Sequence, residues 1–239
     1  ASSIFAWHCD QDFFGSYDDG ANRGVVSFAN HHQLPGKKAW TWGYGGFGRL
    51  HQMDLTDADG PYNEVQTGPL LTQAEVGRLD PSEAVQWQEW WYPVHGIGGF
   101  SFANRDVAVN ASVDGNQLQL QILGTGSWSP VKVAVAKAGA QLAAAQCKLS
   151  PNEPARLSLD LAGAQKPFAV SLTAGDQILA QFQVPLELPA RQRPANKDKP
   201  ETAAELAADG WQKFLFARFP EAESRFREAL EKDTKSATA

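Results

Sequence analysis

The feature that most restricts the fold is a series of short alternating runs in the second half of the chain. Between residues 106 and 188, apolar and polar residues alternate within segments that are separated by turn sequences: DVAVNASVD, NQLQLQILG, VKVAVAKAG, ARLSLDLAG, FAVSLTAG and QILAQFQVPLEL. Period-two alternation is typical of strands with one buried face, and this spacing of turns indicates a small sandwich. We therefore expect an immunoglobulin-like β-sandwich over residues 101–189, with a structural role.

The composition excludes several classes of protein. The chain has 239 residues, of which 43% are hydrophobic and 20% are charged, and its formal net charge is −6. This balance is typical of globular domains, and no apolar run approaches the ~20 residues of a membrane-spanning helix. No basic run is present that would bind a phosphate backbone. We therefore predict a soluble protein with no nucleic-acid partner and no membrane partner.

The cysteines and the first residues carry little functional information. Cys9 and Cys147 lie far apart and have no metal-type spacing, so neither a disulfide framework nor a zinc site is indicated. We expect no metal and no cofactor. The sequence begins with Ala1, and residues 1–14 lack the basic and apolar regions of a secretion signal. We expect a piece of a longer protein, and the compartment stays open.

The first 100 residues differ from the sandwich region because they contain six of the eight tryptophans. Residues 4–28 predict a strand, a long Asp- and Gly-rich turn, and a second strand. Residues 85–94 predict one strand, with Trp87 and Trp91 on the same face. We therefore expect a β-meander with short connections in residues 1–100.

The last part of the chain has helical periodicity. A Pro-rich, charged linker over residues 190–200 is followed by two helical patterns in residues 201–239. Thr202 is placed to cap the first helix and Pro220 to open the second. The second helix has an apolar stripe formed by Ala222, Phe226, Ala229 and Leu230. We predict an α-helical hairpin.

The densest group of candidate binding residues lies between residues 34 and 68. Trp40, Trp42, Tyr44 and Phe47 alternate there with small or polar residues, and four glycines leave the backbone bare between the rings. Such rings can stack on the apolar face of a sugar, while polar groups bind its hydroxyls. The alternative is a strand pair with a Gly-rich turn and a tryptophan-rich core. The candidate substrate-binding residues are Trp40, Trp42, Lys38, Arg49, His51 and Tyr62.

Glu64 is the candidate general base. Tyr62, Glu64 and Gln66 alternate along one predicted strand, so they share a face. We expect this face to line a cleft with the tryptophans, where partial desolvation would make the Glu64 carboxylate a better proton acceptor. The alternative places Tyr62 in the core and Glu64 on a solvated surface.

Residues 5–94 resemble the C-terminal part of the galactose-mutarotase-like β-supersandwich, as found in an uncharacterised bacterial family that precedes tetratricopeptide repeats. In aldose mutarotases a late strand carries a catalytic glutamate within a Glu-Pro-Gln-Thr sequence. Glu64-Val65-Gln66-Thr67 matches that sequence except at Val65. The other residues that carry the resemblance are Ala29-Asn30-His31-His32, Pro35-Gly36-Lys37-Lys38, Trp40-Thr41-Trp42-Gly43, Asp57-Ala58-Asp59-Gly60-Pro61-Tyr62, Leu79-Asp80-Pro81-Ser82-Glu83 and Trp91-Tyr92-Pro93.

The C-terminal helices resemble the first hairpin of a tetratricopeptide array, with Gly210 at the small position of the first helix. One such hairpin cannot bury its own apolar face, so the resemblance implies a protein partner there. The alternative is a plain helical hairpin.

The mutarotase resemblance implies a carbohydrate ligand, with Glu64 as the base and His31 and His32 as candidate acid groups; His51 is a further candidate acid. The mutarotase histidines lie in the first half of that fold, which this sequence does not contain. We therefore expect a carbohydrate-binding or carbohydrate-processing fragment that is itself catalytically silent. The alternative is a non-catalytic glycan-binding or protein-assembly scaffold.

Overall fold

The computed structural model describes residues 2–6, 9–43, 45–59, 61–186, 188 and 202–235. These residues are mainly β, with several antiparallel sheets and a C-terminal helical hairpin, which confirms the predicted class. The chain divides into two compact units, Ala1–Glu187 and Leu188–Ala239. The predicted linker at residues 190–200 lies outside the described residues. Of the helices in the described ranges, none is long and apolar enough to cross a membrane.

Two three-stranded antiparallel sheets form the N-terminal part. The first has the order β1-β4-β5 and consists of β1 (Ser2–Phe5), β4 (Lys38–Thr41) and β5 (Asn63–Gln66). The second has the order β2-β3-β6 and consists of β2 (Phe13–Asp18), β3 (Arg23–Ala29) and β6 (Glu89–His95). Helix α1 (Gly46–Leu55) lies between β4 and β5 in sequence.

The predicted meander is wrong in its first strands. β1 pairs with β4 instead of with a neighbour in sequence. The long turn predicted before β3 contains strand β2, so the tip of this hairpin is confined to residues 19–22. Phe13 and Tyr17 of β2 pack against a buried apolar cluster, and this packing overrides the turn preference of the neighbouring Asp and Gly residues.

Two further local predictions are corrected by the structure. The segment around His51, where the sequence suggested a Gly-rich turn between strands, is helix α1. Gly48 of this helix is buried, and a Cβ at this position would lie 2.2 Å from the carbonyl oxygen of Gly43, so the glycine permits a close backbone approach. Residues 85–88 are exposed and precede β6, although they were expected to continue that strand.

Residues 102–184 form a β-sandwich, as the alternating runs predicted. One sheet has the order β11-β10-β13-β14 and the other has the order β12-β9-β8-β7. Their facing side chains, mainly Val and Leu, form one continuous buried core. The strands are β7 (Phe102–Ala103), β8 (Val107–Asp114), β9 (Gln117–Gly124), β10 (Trp128–Lys137), β11 (Ala140–Leu149), β12 (Ala155–Asp160), β13 (Phe168–Ala174) and β14 (Gln177–Val184).

Strand β11 has no counterpart among the strands predicted from sequence. Its sequence, AQLAAAQCKL, is rich in Ala and Gln, which give little strand signal. It forms because it pairs with β10, from Trp128 opposite Leu149 to Lys137 opposite Ala140. Leu142, Ala143, Ala145 and Cys147 pack against the sandwich core, so long-range pairing decides this element.

A second buried cluster joins the sheet β2-β3-β6 to the sandwich. Its members come from both parts: Val26, Val94, Ile97, Ala103, Ala108 and Leu123. The Tyr92 hydroxyl donates to the carbonyl oxygen of Asn104 at 2.7 Å and lies 3.1 Å from that of Val107. Burial, together with the negative charge of Asp106, raises the pKa of Tyr92 well above its ordinary value. The tyrosine therefore acts as a neutral hydrogen-bond donor across this junction.

The C-terminal unit is a hairpin of α2 (Ala203–Leu215) and α3 (Phe219–Lys232). Thr202 caps α2 in a capping box with Glu205, and Pro220 lies in the first turn of α3, as expected. A Cβ at Gly210 would lie 2.7 Å from the Phe226 ring, so glycine permits the close approach of the helices. Ala222 and Ala229 are buried, whereas Leu230 of the predicted stripe is 38% exposed.

We expect the substitution Tyr92→Phe to reduce the free energy of unfolding near neutral pH by about 1–2 kcal/mol, because a buried hydrogen bond is lost. Since the native state raises the pKa of Tyr92, the unfolded chain loses its phenolic proton first as pH increases above 10.0. Wild-type stability should therefore decline above that pH, and the decline should be shallower in the variant. Denaturant unfolding across the alkaline range measures both effects. An identical alkaline slope in the two proteins would contradict this role.

Candidate functional site

The sheet β1-β4-β5 brings four of the proposed binding residues to one face. In the register of β4 and β5, Trp40 is opposite Glu64 and Lys38 is opposite Gln66. Residues directly opposite in an antiparallel pair share a face, and positions two apart along a strand do so as well. Trp42 and Tyr62 lie one residue beyond the ends of these strands. We call the surface formed by Lys38, Trp40, Trp42, Tyr62, Glu64 and Gln66 the aromatic face.

The rings of the aromatic face contact one another in a row. The ring centroids of Trp40 and Trp42 are 6.4 Å apart with an interplanar angle of 26°, and those of Trp42 and Tyr62 are 5.2 Å apart. Phe5 packs edge-on against Trp40 at 6.2 Å. The side chains of Trp40, Trp42 and Tyr62 are half-buried. The row is therefore held in place and still accessible to a ligand.

Glu64 is fixed by its neighbours on the same strand face. Its Oε2 accepts a hydrogen bond from the Tyr62 hydroxyl at 3.2 Å, and its Oε1 accepts one from the Gln66 side-chain amide. Gln66 in turn accepts a hydrogen bond from Gln73 Nε2 at 3.0 Å. Burial, the charge of Glu64 and this hydrogen bond raise the pKa of Tyr62, so its phenol stays a donor. The arrangement orients the carboxylate as a hydrogen-bond acceptor.

Two donors of the aromatic face have no partner among the described residues. Lys38 is 7% exposed, and its ammonium forms no hydrogen bond or ion pair there. The indole Nε1 of Trp40 is buried and lacks an acceptor as well. A buried N–H without an acceptor is costly, and an ammonium without a counter-charge can take one, so both groups have an unmet capacity to bind an oxygen atom.

His31 and His32 belong to a different group of side chains. His31 Nδ1 lies 2.7 Å from Asp12 Oδ1, and the His31 backbone N–H donates to the same oxygen at 2.9 Å. The His31 and His32 ring centroids are 4.0 Å apart. In the described part of the chain, Glu64 is hydrogen-bonded to Tyr62 and Gln66 and to no histidine. The structure therefore does not pair the proposed base with these proposed acids.

Arg49 and His51 lie on helix α1 instead of on the sheet. Arg49 is exposed, and the His51 ring packs edge-on against Phe47 with centroids 4.3 Å apart. The side chain of Gln52 donates to the carbonyl oxygen of Gly43 at 3.3 Å and so ties the helix to the end of β4. Arg49 and His51 are close to the tryptophans in sequence, but they lie on a different element of the structure.

A cavity of about 330 Å³ adjoins the sheet β1-β4-β5. Its volume is within the range of small-ligand pockets. It is lined by residues of two sheets: Ile4, Ser16, Tyr17, Asp18, Ala39, Trp40, Thr41, Asn63, Glu64 and Val65. Trp40 and Glu64 line this cavity beside Ala39, Thr41, Asn63 and Val65, which alternate with them and lie on the opposite face of the strands. A cleft that Glu64 shares with the tryptophans stays a prediction.

Lys37 is a cation whose burial was not predicted from the sequence. It is 2% exposed, and its Nζ has no hydrogen-bond partner among the described residues. Burial lowers the pKa of Lys37, and electrostatic interaction with the neighbouring Cys9 and Asp12 side chains opposes that shift. The sequence signal was the pair Lys37-Lys38: adjacent residues of an extended chain point to opposite faces, so one of the two lysines was expected to point inward.

Across the described ranges, no group of three or more His, Cys, Asp or Glu side chains could hold a metal ion.

The C-terminal hairpin has an apolar groove of its own, with a volume of about 490 Å³. Phe214 and Phe219 at its edge are 46% and 56% exposed. The groove is lined by Phe214, Phe219, Ala222, Glu223, Phe226, Arg227 and Leu230. A protein partner on this surface stays a prediction.

Two parts of the chain match known protein families. Residues 2–94 match a family described as a domain of unknown function (DUF5107). Residues 102–182 match the second domain of YphG-like proteins. No solved structure gives a significant match to the chain. Neither family match is to a galactose mutarotase or a tetratricopeptide repeat, so those two finer resemblances stay predictions.

We expect Lys37→Met to increase the free energy of unfolding by about 1–3 kcal/mol near neutral pH, because it removes an unpaired buried ammonium. The pKa of Lys37 is lowered in the native state, so the wild type should gain stability as pH rises toward 10.5, the ordinary value for lysine. The advantage of the variant should therefore shrink over the same range.

Denaturant unfolding at a series of pH values tests this expectation, with Lys148→Met as the matched control because Lys148 is exposed. A variant less stable than the wild type at neutral pH would show that Lys37 has a stabilising partner.

Proposed function

We propose that the aromatic face is a carbohydrate-binding surface. The observation that supports this proposal is the row of Trp40, Trp42 and Tyr62, whose neighbouring rings are 6.4 and 5.2 Å apart. One face of a pyranose is largely C–H and stacks on aromatic rings, whereas an ordinary apolar core would bury such rings fully. These rings are half-buried instead.

The polar groups beside the rings suit the hydroxyls of a sugar. The Glu64 carboxylate is held by Tyr62 and Gln66 and keeps acceptor capacity for further donors. An acceptor fixed in this way does not lose side-chain freedom on binding, which favours affinity. Glu64 thus has the role of orienting a sugar above the rings.

We infer binding, without turnover, for this chain. Acid–base chemistry at an anomeric centre needs a proton donor as well as a base. The resemblance to mutarotases gives Glu64 the role of base, but His31 and His32 are grouped with Asp12. The alternative proposal, a protein-assembly scaffold, gives the aromatic face no ligand of its own and is distinguished by a sugar titration.

We expect glucose, galactose and their disaccharides to bind weakly and to change the tryptophan fluorescence in a saturable way. Binding of these neutral sugars should not depend on salt, because no ion pair contributes. Trp42→Ala should weaken binding about tenfold, since it removes one stacking ring.

The matched control is Trp87→Ala, because Trp87 is a tryptophan that is 43% exposed and lies outside the aromatic face. A folded protein that shows no fluorescence change at millimolar sugar would remove carbohydrate as the proposed ligand.

We expect the chain not to accelerate the interconversion of glucose or galactose anomers. The loss of one general catalyst typically costs about 10²–10⁴ in rate, and only the base is identified on the aromatic face. Proton-exchange NMR of the anomers, with the wild type and with Glu64→Gln, measures this rate. Turnover by the wild type that Glu64→Gln abolishes would show that the site is complete.

A further inference from the structure

We propose that the preferred ligand of the aromatic face is an acidic sugar, a hexuronate whose carboxylate binds the Lys38 ammonium while its ring stacks on Trp40. This inference rests on the proposed carbohydrate-binding function and adds the chemical class of the sugar. It is carried by two unpaired donors on strand β4 and one oriented acceptor on the neighbouring strand β5.

Lys38 is the first of these donors. The residue is 7% exposed, and its Nζ has no hydrogen-bond or ion-pair partner among the described residues. Gln66, directly opposite on β5, cannot serve as that partner, because its amide nitrogen donates to Glu64 and its amide oxygen accepts from Gln73. An ammonium with no acceptor in the described part of the protein can pair with an oxygen of a ligand.

Trp40 supplies the second donor. Its indole Nε1 is buried and has no acceptor. Lys38 and Trp40 are two positions apart on β4, which places them on the same face about 7 Å apart along the strand. The two donors therefore favour a ligand group that carries several acceptor oxygens and a negative charge, and a carboxylate has both properties.

The neighbouring strand β5 supplies an acceptor on the same face. Glu64 lies across from Trp40 and presents an oriented carboxylate, which needs donors such as sugar hydroxyls. A hexuronate has both a carboxylate and hydroxyls on its ring, so it can pair with the Lys38 ammonium and with the Glu64 carboxylate together. A neutral hexose would satisfy Glu64 and leave the Lys38 ammonium without a counter-charge.

The space next to Lys38 allows a direct test. A methyl group built at Gly68 would lie 3.8 Å from Lys38 Nζ and would meet nothing else within 4 Å. The Gly68 backbone does not have the positive φ that would exclude other residues. A carboxylate introduced by Gly68→Asp should therefore pair with Lys38 and compete with the ligand's carboxylate.

The experiment compares glucuronate with glucose by tryptophan fluorescence titration of the whole chain at low and high salt. Glucuronate should bind about tenfold more tightly than glucose at low salt, as one charge-assisted contact provides, and high salt should reduce the difference. Gly68→Asp should abolish the preference, and Gly68→Asn, of similar size, should retain it. Lys38→Met should bind both sugars equally.

The outcomes separate this inference from the function on which it rests. Glucose binding with no preference for glucuronate in the wild type would overturn the inference and leave the carbohydrate proposal intact. No binding of either sugar would overturn both. A preference that persists in Lys38→Met and in Gly68→Asp, with both variants folded, would show that another cation recognises the carboxylate.

Discussion

The apolar contact between the sheet β2-β3-β6 and the sandwich holds the N-terminal compact unit together. Val26, Val94 and Ile97 are fully buried there beside Ala108 and Leu123 of the sandwich. A three-stranded sheet has two faces and little capacity to bury either by itself, so it needs a neighbour of this kind. The hydroxyl of Tyr92 adds a directional bond to the non-directional apolar contact. Together they fix the sheet that forms one wall of the cavity beside β4 and β5.

Strand register is the constraint that assembles the aromatic face. Trp40 meets Glu64 because β4 and β5 pair with no register shift between them. A slip of β5 by one residue would move Glu64 to the face opposite to that of Trp40 and would bring Asn63 or Val65 to the Trp40 face in its place. The side-chain bonds among Tyr62, Glu64 and Gln66 lie along a single strand, so they are independent of that register. The carboxylate is thus oriented by its own strand, whereas its position over the rings depends on pairing.

The sequence predicted those features that local periodicity determines. The alternation in residues 106–188 predicted most strands of the sandwich, and the alternation of Tyr62, Glu64 and Gln66 predicted their shared face. Features that depend on distant partners were not predicted. Strand β2 is stabilised by packing against a buried cluster, and β11 is stabilised by pairing with β10. Strand β1 pairs with β4, which is more than 30 residues away in sequence. The helix α1 was missed because its glycines indicated a turn. The contact of His31 with Asp12 was not predicted either, since only the fold shows that the two residues are neighbours.

Strand β11 also affects how this protein behaves in a crowded solution. The strand ends its sheet, so one row of its backbone N–H and C=O groups faces away from the ladder with β10. Such a row is a template on which other chains can add strands and aggregate. Aggregation by this route also requires adhesive side chains, usually β-branched or aromatic, in an uncharged segment. β11 has neither aromatic nor β-branched residues, four of its ten residues are alanine, and Lys148 adds a charge. The alanine-rich composition that left β11 unpredicted from the sequence also makes its open edge a poor template for fibril growth.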